Sequence, residues 1–513
     1  MLYSSSFYFK RLSLLLACKA CLMLAFILFA GIGLSPDEAQ YWTWSQQLDW
    51  GYYSKPPGIA WQIWLGTRLF GDTELGVRSL SVILSIAQAL AVFFTALQAG
   101  LQARTAFWSG VLMAFCPIGM LGSLLAITDG GFLLCWTLAV LFMVSALRES
   151  KEANPLLIGG CILGGALFKW PIYLFWIFFL LARHWWFPHQ PLRKSLQGMA
   201  FSLAGLLPSF WWNWSHDWAT FRHVSSTVQG GHGSQSGNVL EFIGSQALLL
   251  SPLLFILLCL GMRAWLKQRR HLSSPLFFCG FITLACLSAG ILAAFFQKIQ
   301  GNWVVFAYPT GLIFLGWFVF EAHVIKEGWL KAGLALSLCL TISVFLLPFL
   351  YASSIRRPAI LSYRLNPFKH NVGWAHLKEA LSHYGYDPQE HFLLSDKYQT
   401  TSILSFYNEG QKRAYFLNLH GVRKNQFSYW PSLPEEQQGK SGYFVWIENH
   451  PHLEREGKSK LVFYLDRLKP YFETVEFLEF VPLFYDRQQV VKGALLFKCE
   501  NCQSHQPDDP DLY

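Results

Sequence analysis

Long apolar segments recur along the first 351 residues of this chain, and they restrict its fold more than any other feature. A helix needs about 20 mostly apolar residues to cross the hydrocarbon core of a bilayer. By this criterion we expect about 11 transmembrane helices, although the short pairs within 105–147 and 154–187 could merge or re-enter the membrane. The segments cover residues 12–34, 75–98, 105–124, 131–147, 154–170, 172–187, 196–213, 239–262, 275–297, 303–321 and 329–351. The sequence therefore predicts an α-helical polytopic membrane protein.

The composition supports this prediction. The 513 residues are 53% hydrophobic and only 14% charged, which is too apolar for a soluble protein of several domains. Residues 1–351 carry 21 Lys and Arg against 12 Asp and Glu, whereas residues 352–513 carry 19 of each. The net charge of +9 thus belongs to the membrane part, which argues against a nucleic-acid-binding domain and leaves membrane lipids as the expected surroundings.

The orientation follows from the basic residues of the short loops, which are enriched on the cytoplasmic side. If the N-terminus is cytoplasmic, the loops on the cytoplasmic side carry fourteen basic residues and the loops on the opposite side carry six. With an odd number of spans, residues 352–513 then lie outside. We therefore expect a multi-pass protein of the plasma (inner) membrane with an extracytoplasmic, periplasmic C-terminal domain.

The C-terminal segment has the pattern of a small soluble α/β domain. Its short apolar runs suit strands at residues 392–394, 414–417, 443–447 and 493–497, and helices at 374–384 and 399–408. About 160 residues can bury a core of their own. We predict two domains, a transmembrane domain over residues 1–351 and this α/β domain over 352–513.

Two cysteines stand apart from the other nine, which lie in apolar segments where they pack as small hydrophobic residues. Cys499 and Cys502 form a single Cys-x-x-Cys on the predicted outer side. A structural disulfide is the expected use in an oxidising compartment. Metal binding is less favoured, because no second ligand pair has suitable spacing.

The residues that suggest chemistry follow the first apolar segment. Asp37 and Glu38 are adjacent carboxylates at a membrane surface, where acids are costly unless they serve a purpose. Lys55, followed by Pro56 and Pro57, offers a compact positive charge for a phosphate. An enzyme acting on a lipid-linked phosphate would use both. Two structural alternatives remain open, a helix cap for Asp37 and a lysine that reaches the head groups for Lys55.

These motifs resemble those of the GT-C class of membrane glycosyltransferases. The similarity is to bacterial relatives of the dolichyl-phosphate-mannose protein mannosyltransferases (family 39) and, more distantly, to the lipid A aminoarabinose transferases. The motifs are Asp37-Glu38 with Tyr41, Gly51-Tyr-Tyr-Ser-Lys-Pro-Pro, Thr128-Asp129-Gly130, Phe168-Lys169-Trp170-Pro171, Gly301-Asn302-Trp303, Tyr398-Gln399 with Phe406-Tyr407, and the run from Gly421 to Trp430. The chain departs from the lipid A relatives at Gln40 and Ser54, where those enzymes have an arginine and an acid.

The resemblance implies an inverting transfer of a hexose or pentose from a polyprenyl-phosphate donor to an acceptor hydroxyl of a protein, lipid A or another glycan. It implies a catalytic role for Asp37 as general base, with Glu38 and Asp129 as further acids. The donor phosphate would contact Lys55, with Arg78 and Lys169 as weaker candidates, and Tyr41, Tyr52 and Tyr53 would line the substrate site. A divalent metal ion is a conceivable cofactor, and Glu38 could help to hold it.

Alternatives to these assignments stay open at the level of sequence. Asp129 could simply cap a helix, and interfacial anchoring is the stronger interpretation of Arg78 and Lys169. A lipid or glycolipid transporter (flippase) is the rival function. It predicts buried mid-helix charges and related halves, whereas here the acids cluster at one face and no related halves are evident. A membrane scaffold that presents the C-terminal domain is a third possibility.

Overall fold

The computed structural model describes residues 2–228, 237–268, 271–352, 366–448, 453–486, 489–506 and 511–513. Two compact units make up the chain. We call the first the membrane unit; it comprises Met1–Ile27, Lys55–Trp214 and Ser225–Phe345. We call the second the tail unit; it comprises Leu28–Ser54, Ser215–Val224 and Leu346–Tyr513. No single boundary in the sequence separates the two units, because the loop after the first helix belongs to the same unit as the C-terminal residues.

The first 352 residues are helical almost throughout. Their helices are α1 (Leu2–Phe29), α2 (Pro36–Gln46), α3 (Gly58–Phe70), α4 (Glu74–Gln98), α5 (Ala103–Phe115), α6 (Pro117–Leu124), α7 (Asp129–Glu149), α8 (Pro155–Ala166), α9 (Phe175–Trp186), α10 (Leu192–Leu203), α11 (Leu207–Ser215), α12 (Ala219–Val228), α13 (Val239–Leu250), α14 (Pro252–Gln268), α15 (Ser274–Phe296), α16 (Tyr308–Phe320) and α17 (Glu327–Ala352). Short 3-10 helices at Trp170–Leu174, Ala204–Leu206 and Gly301–Ala307 connect some of them.

Among the described residues, six helices are long and apolar enough to cross a membrane, or up to eight if each of two bent pairs counts as one span. The bends measure 54° between α5 and α6 and 105° between α13 and α14. A polytopic helical protein is therefore confirmed, but the count of about 11 is not. The difference arises mainly at α8–α11, because helices of 9–12 residues are too short to span the bilayer alone.

The bend between α5 and α6 has a local cause. Cys116 is extended (φ −70°, ψ 160°), as expected for a residue before proline, and Pro117 then begins α6. The buried Lys19 Nζ donates to the Gly119 carbonyl at 2.9 Å and to Ser85 Oγ at 2.7 Å. The amine of a buried lysine is thus given hydrogen-bond partners where the helix is broken, as burial of a polar group requires.

The tail unit contains a five-stranded sheet in the order β2-β1-β3-β5-β4. Strand β1 is parallel to β2 and β3, whereas β3, β5 and β4 pair antiparallel. Its elements are α18 (Trp374–His383), β1 (His391–Ser395), α19 (Tyr398–Tyr407), β2 (Tyr415–Phe416), α20 (Leu433–Gln437), β3 (Ser441–Glu448), α21 (Leu453–Leu468), β4 (Phe472–Asp486) and β5 (Gln489–Cys502). The predicted α/β domain is confirmed with its four predicted strands and two helices. Strand β4 and helices α20 and α21 were not predicted.

The predicted disulfide between Cys499 and Cys502 is wrong, because both cysteines are free thiols in the structure. Both lie on β5 and are buried in the same hydrophobic cluster of the tail unit. Between them Asn501 has φ +51°, so the strand is irregular at this point. The two thiols therefore serve as small packing groups in this core.

Helix α2 from the first loop belongs to the same compact unit as this sheet, and it packs on α19. Trp42 of α2 meets the Phe406 ring edge-on, with centroids 4.9 Å apart. The segment before α2 is also fastened, because the Leu34 N–H donates to the Tyr407 hydroxyl at 2.7 Å. The tail unit thus fixes the helix that carries the predicted acid pair.

Candidate active site

Helix α2 begins with a complete capping box made by Ser35 and Glu38. Ser35 Oγ accepts from the Glu38 N–H at 3.2 Å, and Glu38 Oε2 accepts from the Ser35 N–H at 2.9 Å. Pro36 occupies the first helical position, where its missing N–H costs nothing. The cap that we considered for Asp37 is therefore formed by its neighbours. Glu38 is fully buried and has at least this structural role.

Asp37 itself is exposed and lies close enough to Tyr398, the first residue of α19, to act on it electrostatically. Burial is the main cause that raises the pKa of Tyr398, and the Asp37 carboxylate adds to it. Arg423 opposes the shift through its charge and through a hydrogen bond with the Tyr398 side chain. An exposed carboxylate with a tyrosine and an arginine nearby is an arrangement that a general base can use.

The two tyrosines before Lys55 have different surroundings. Tyr52 is fully buried, stacks on Trp44 with centroids 4.7 Å apart, and donates to the Trp44 carbonyl at 3.0 Å. Its hydroxyl thus holds its own loop together, and its predicted contact with substrate stays untested. Tyr41, also buried, packs at 5.0 Å from the same Trp44 ring.

Tyr53 lies among groups from three segments of the tail unit. Its N–H donates to Gln426 Oε1 at 2.7 Å, and its ring is 4.8 Å from that of His223. Burial raises the pKa of Tyr53 to about 12, although the positive charge of Arg423 acts in the opposite direction. Within the described residues the buried Tyr53 hydroxyl has no hydrogen-bond partner. Among the three predicted substrate-lining tyrosines, Tyr53 is therefore the one with an unused polar group.

The membrane unit holds a second polar cluster around Asp129. Asp129 Oδ1 accepts from Lys169 Nζ at 2.6 Å, and Oδ2 accepts from Asn302 Nδ2 at 3.3 Å. Both charged side chains are largely buried, with exposed fractions of 11% and 19%. Asp129 is the first residue of α7, and its carboxylate is used in this ion pair rather than in a cap. Because Lys169 is paired with Asp129, it does not fit an anchor that extends into the lipid head groups.

Four of the sequence motifs meet at this cluster, since Asn302 of the Gly301-Asn302-Trp303 motif bonds to Asp129. The Gly58 N–H, directly after Lys55-Pro56-Pro57, donates to the Leu167 carbonyl at 2.7 Å, two residues before Lys169. A side chain at Gly131 would overlap the Phe168 ring, which lies 2.4 Å from the position of its Cβ. The segment that contains Lys55 is thus joined to the segment that contains Lys169, and the latter packs against the start of α7.

An apolar cavity of about 190 Å³ lies beside the same cluster in the membrane unit. Its polar lining residues are Ser85, Gln88, Asp129 and Asn302, and the rest of the lining is mainly aliphatic. A mostly apolar cavity with a few polar groups is typical of a site for a small molecule or a lipid chain.

The remaining predicted cations differ in burial. Lys55 is half-buried, so part of its side chain is accessible. Arg78 on α4 is fully buried, which does not fit an anchor that extends into the head groups. The structure leaves the predicted phosphate contacts of both residues as predictions.

No group of three His, Cys, Asp or Glu side chains in the described parts of the chain could hold a metal ion. Glu38, the residue expected to help, is engaged in the capping box. Of the three histidines between α11 and α13, His216 and His223 pack against Tyr429 and Tyr53, and His232 lies outside the described residues. The divalent ion therefore stays a prediction, and we derive no step through it.

Sequence reasoning missed the residues of the tail that surround the first loop. Tyr398, Arg423 and Gln426 lie within two tail motifs that we noted for their resemblance, but no role was assigned to them. The resemblance of these motifs to the family pattern was the available signal. Asn371, which pairs with Gly33, had no signal at all, because a contact over 338 residues leaves no local pattern.

Comparison with solved structures defines the class of the fold. The structure is similar to ArnT from Cupriavidus metallidurans bound to undecaprenyl phosphate, with a TM-score of 0.61, 15% identity, and coverage of 94% of this chain and 97% of that one. The apo state of the same protein gives a TM-score of 0.58 at 14% identity, with coverage of 95% and 98%. The fold is therefore that of the GT-C membrane glycosyltransferases, as the motifs predicted.

Comparison of sequences is more specific but covers less of the chain. Residues 54–212 match the family described as dolichyl-phosphate-mannose-protein mannosyltransferase. The lipid A galacturonosyltransferase RgtD of Rhizobium johnstonii is 29% identical over 294 residues, which is 55% of this chain. The match spans only 60% of that relative's length. The family resemblance stated from the motifs is confirmed.

Proposed function

We propose that this protein is an inverting glycosyltransferase that moves a sugar from a polyprenyl-phosphate donor to an acceptor hydroxyl at the outer face of the plasma membrane. The ArnT-like fold and the two glycosyltransferase matches support a transferase rather than a transporter. The lipid A relative makes a glycolipid the first acceptor to test, and its name makes a hexuronic acid the first sugar.

In the proposed reaction the acceptor oxygen attacks the anomeric carbon of the donor sugar. Its proton moves to the Asp37 carboxylate, and the bond between the anomeric carbon and the phosphate oxygen breaks. The bonding electrons leave with the polyprenyl phosphate. Because the acceptor oxygen attacks from the face opposite the leaving group, the anomeric configuration inverts. A general base of this kind contributes about 10²–10⁴-fold to a rate.

The observation that carries the proposal is the environment of Asp37. Its neighbours Ser35 and Glu38 complete the cap of α2, and the Asp37 carboxylate is exposed beside Tyr398. A carboxylate that solvent can reach can also be reached by an acceptor hydroxyl.

The membrane unit supplies features that suit the donor. Lys55 is partly accessible on a segment fixed by two prolines and by the Gly58–Leu167 hydrogen bond, and it can offset the charge of a leaving phosphate. The apolar cavity beside Asp129 and Asn302 has the character needed for part of a prenyl chain. We assign Lys55 to the phosphate, and the pair of Asp129 and Lys169 to a site next to the lipid.

The substitution Asp37→Asn tests the proposal. It keeps the shape of the side chain and leaves the capping box intact, so folding should be unchanged while transfer falls by about 10² or more. Asp49→Asn is the matched control, since Asp49 lies on the same loop and its carboxylate accepts from the Trp50 N–H. Mass spectrometry of envelope glycolipids and glycoproteins from cells that produce each variant measures transfer. If Asp37→Asn transfers sugar at the rate of the parent protein, Asp37 is not the general base.

A further inference from the structure

We propose that the tail unit carries a sugar-binding site of its own, a cavity beside strand β2 that takes one neutral sugar residue of a glycan acceptor. The lining residues lie between Arg413 and Glu435, with Gln506 in addition, and none of them belongs to the first loop. The assignment to the acceptor rests on the proposed function, whereas the binding of a sugar rests on the cavity itself.

The cavity has a volume of about 230 Å³ and lies at the edge of the sheet that β2 forms. Pro431 and Glu435 in its lining are exposed, so the cavity is open to solvent. Pockets for drug-sized molecules measure about 300–1,000 Å³, and a water molecule takes up about 30 Å³ in the liquid. A cavity between these sizes suits one small ring rather than an extended peptide or glycan chain.

Trp430 gives the cavity an aromatic wall. The residue is half-buried, and Phe427 meets its ring edge-on with centroids 5.4 Å apart, which holds the indole in place. An indole offers a large apolar surface at a small cost in conformational entropy. A pyranose has a face of C–H groups that packs on such a ring, and its hydroxyls then lie at the rim of the contact.

The polar groups of the lining can serve these hydroxyls. The Ser428 hydroxyl accepts from the Asn425 N–H at 3.3 Å, so its own O–H can donate to a ligand. Glu435 uses one carboxylate oxygen for the Ser432 N–H at 2.7 Å, and its second oxygen can accept. Because a sugar hydroxyl both donates and accepts, one sugar ring can bond to both side chains.

The charge of the lining favours a neutral ligand. Among the described residues that line the cavity, Arg413 and Glu435 are the charged ones. Arg413 Nη2 donates to the Glu436 carboxylate at 2.8 Å and to the Pro431 carbonyl at 2.7 Å, so its charge is paired. Glu435 then leaves the lining negative. A phosphate or a hexuronate would be repelled, whereas a neutral sugar would not.

The 3-10 helix Gln426–Tyr429 connects the cavity with the first loop. Phe427 lines the cavity, whereas Gln426 Oε1 accepts from the Tyr53 N–H at 2.7 Å. The cavity, Tyr53 and Asp37 all belong to the tail unit. A sugar in the cavity is therefore bound by the same compact unit that carries the proposed base, which is the arrangement that a glycan acceptor requires.

Binding of methyl glycosides to the full-length protein tests the inference without the need for transfer. The detergent must have no sugar head group, and the probes are the methyl glycosides of glucose, galactose, mannose, N-acetylglucosamine and galacturonic acid. At least one neutral probe should bind at least fivefold more tightly than the galacturonide. Trp430→Ala should weaken this binding at least tenfold, and Trp430→Phe should retain part of it. Tyr485→Ala is the control, because it removes an exposed ring on β4 at the opposite edge of the sheet.

Glu435→Gln tests the same cavity without removing a ring. It keeps an oxygen for the Ser432 N–H and removes the negative charge of the lining. The variant should bind the galacturonide at least threefold more tightly than the parent does and the neutral probe within twofold of the parent. Unchanged discrimination against the galacturonide would contradict the role of this charge.

Each outcome bears on the inference. If the parent binds no neutral probe, or if Trp430→Ala binds as the parent does, the sugar site is overturned. Tighter binding of the galacturonide by the parent would assign the cavity to an anion and also overturn it. If Trp430→Ala loses the sugar but transfers in cells as the parent does, the assignment to the acceptor is wrong. If Asp37→Asn transfers at the parental rate, the proposed function fails while the sugar site stands.

Discussion

Asn371 and Gly33 are joined by two hydrogen bonds that run in opposite directions. The Gly33 N–H donates to the Asn371 carbonyl at 2.9 Å, and the Asn371 side-chain amide donates to the Gly33 carbonyl at 3.0 Å. A Cβ at Gly33 would lie within 3 Å of Tyr407, Trp374 and Asn371. The segment that leads to Asp37 is thus held closely by the C-terminal residues.

Tyr407→Phe should lower both stability and transfer. The variant removes the hydroxyl that accepts from the Leu34 N–H, at a cost of about 1 kcal/mol in the free energy of unfolding. Because Leu34 lies three residues before Asp37, transfer should fall more than this loss of stability explains. Tyr443→Phe is the control, because the Tyr443 hydroxyl donates to the Tyr384 carbonyl elsewhere in the tail unit. Thermal unfolding and transfer are measured for both; equal effects on transfer would contradict the prediction.

Lys169→Met should destabilise the membrane unit by leaving the Asp129 carboxylate largely buried without its cation. Removing one partner of a buried ion pair costs on the order of 3 kcal/mol. The double variant with Asp129→Asn should recover part of the loss, because the uncompensated charge is then gone. Unfolding midpoints of the parent protein, the single variant and the double variant in detergent test this. A single variant as stable as the parent would show that the pair contributes little.

Lys492 should make the stability of the tail unit depend on pH. Burial lowers the pKa of Lys492 well below its ordinary value of 10.5, while its Nζ donates to the Val372 carbonyl at 2.7 Å. Between the two pKa values the unfolded chain binds more protons than the folded one, so the free energy of unfolding should rise with pH up to about 10.5. The nearby His370 does not titrate in this alkaline range, because burial lowers its pKa from 6.5.

Lys492→Met should flatten this dependence, and Lys469→Met, at an exposed pair with Asp466, should leave it unchanged. The measurement is the unfolding midpoint of each full-length variant at several pH values between about pH 7 and pH 10. A lysine with a depressed pKa titrates in about this range. A slope that survives Lys492→Met would assign it to another group.

The tail unit should lie outside the cytoplasm, as the loop charges predict. A reporter that is active only in the external compartment, fused after Tyr513, should therefore give a signal. The matched fusion of a reporter that is active only in the cytoplasm should be silent. The reverse result would place the exposed Asp37 carboxylate, which belongs to the same unit, on the wrong side for external chemistry.

Local sequence patterns predicted the helices and most strands, because the hydrophobic periodicity and the length of a segment are properties of neighbouring residues. The number of spans was not predictable, since bends such as that at Cys116–Pro117 depend on how neighbouring segments pack. Strand β4 was missed because Glu473, Glu476 and Glu479 interrupt its apolar pattern. Asp37 and Lys55 were found from compact motifs, whereas Arg423 and Asn371 gain their meaning only from contacts with distant residues.

The bond between Leu34 and Tyr407 joins residues 373 positions apart in the chain. At translation rates of about 5–20 residues per second, the first loop leaves the ribosome roughly 20 to 75 s before its partner. During that interval the segment before Asp37 lacks the hydroxyl that holds it. The first loop can therefore take up its final position only after Tyr407 has emerged.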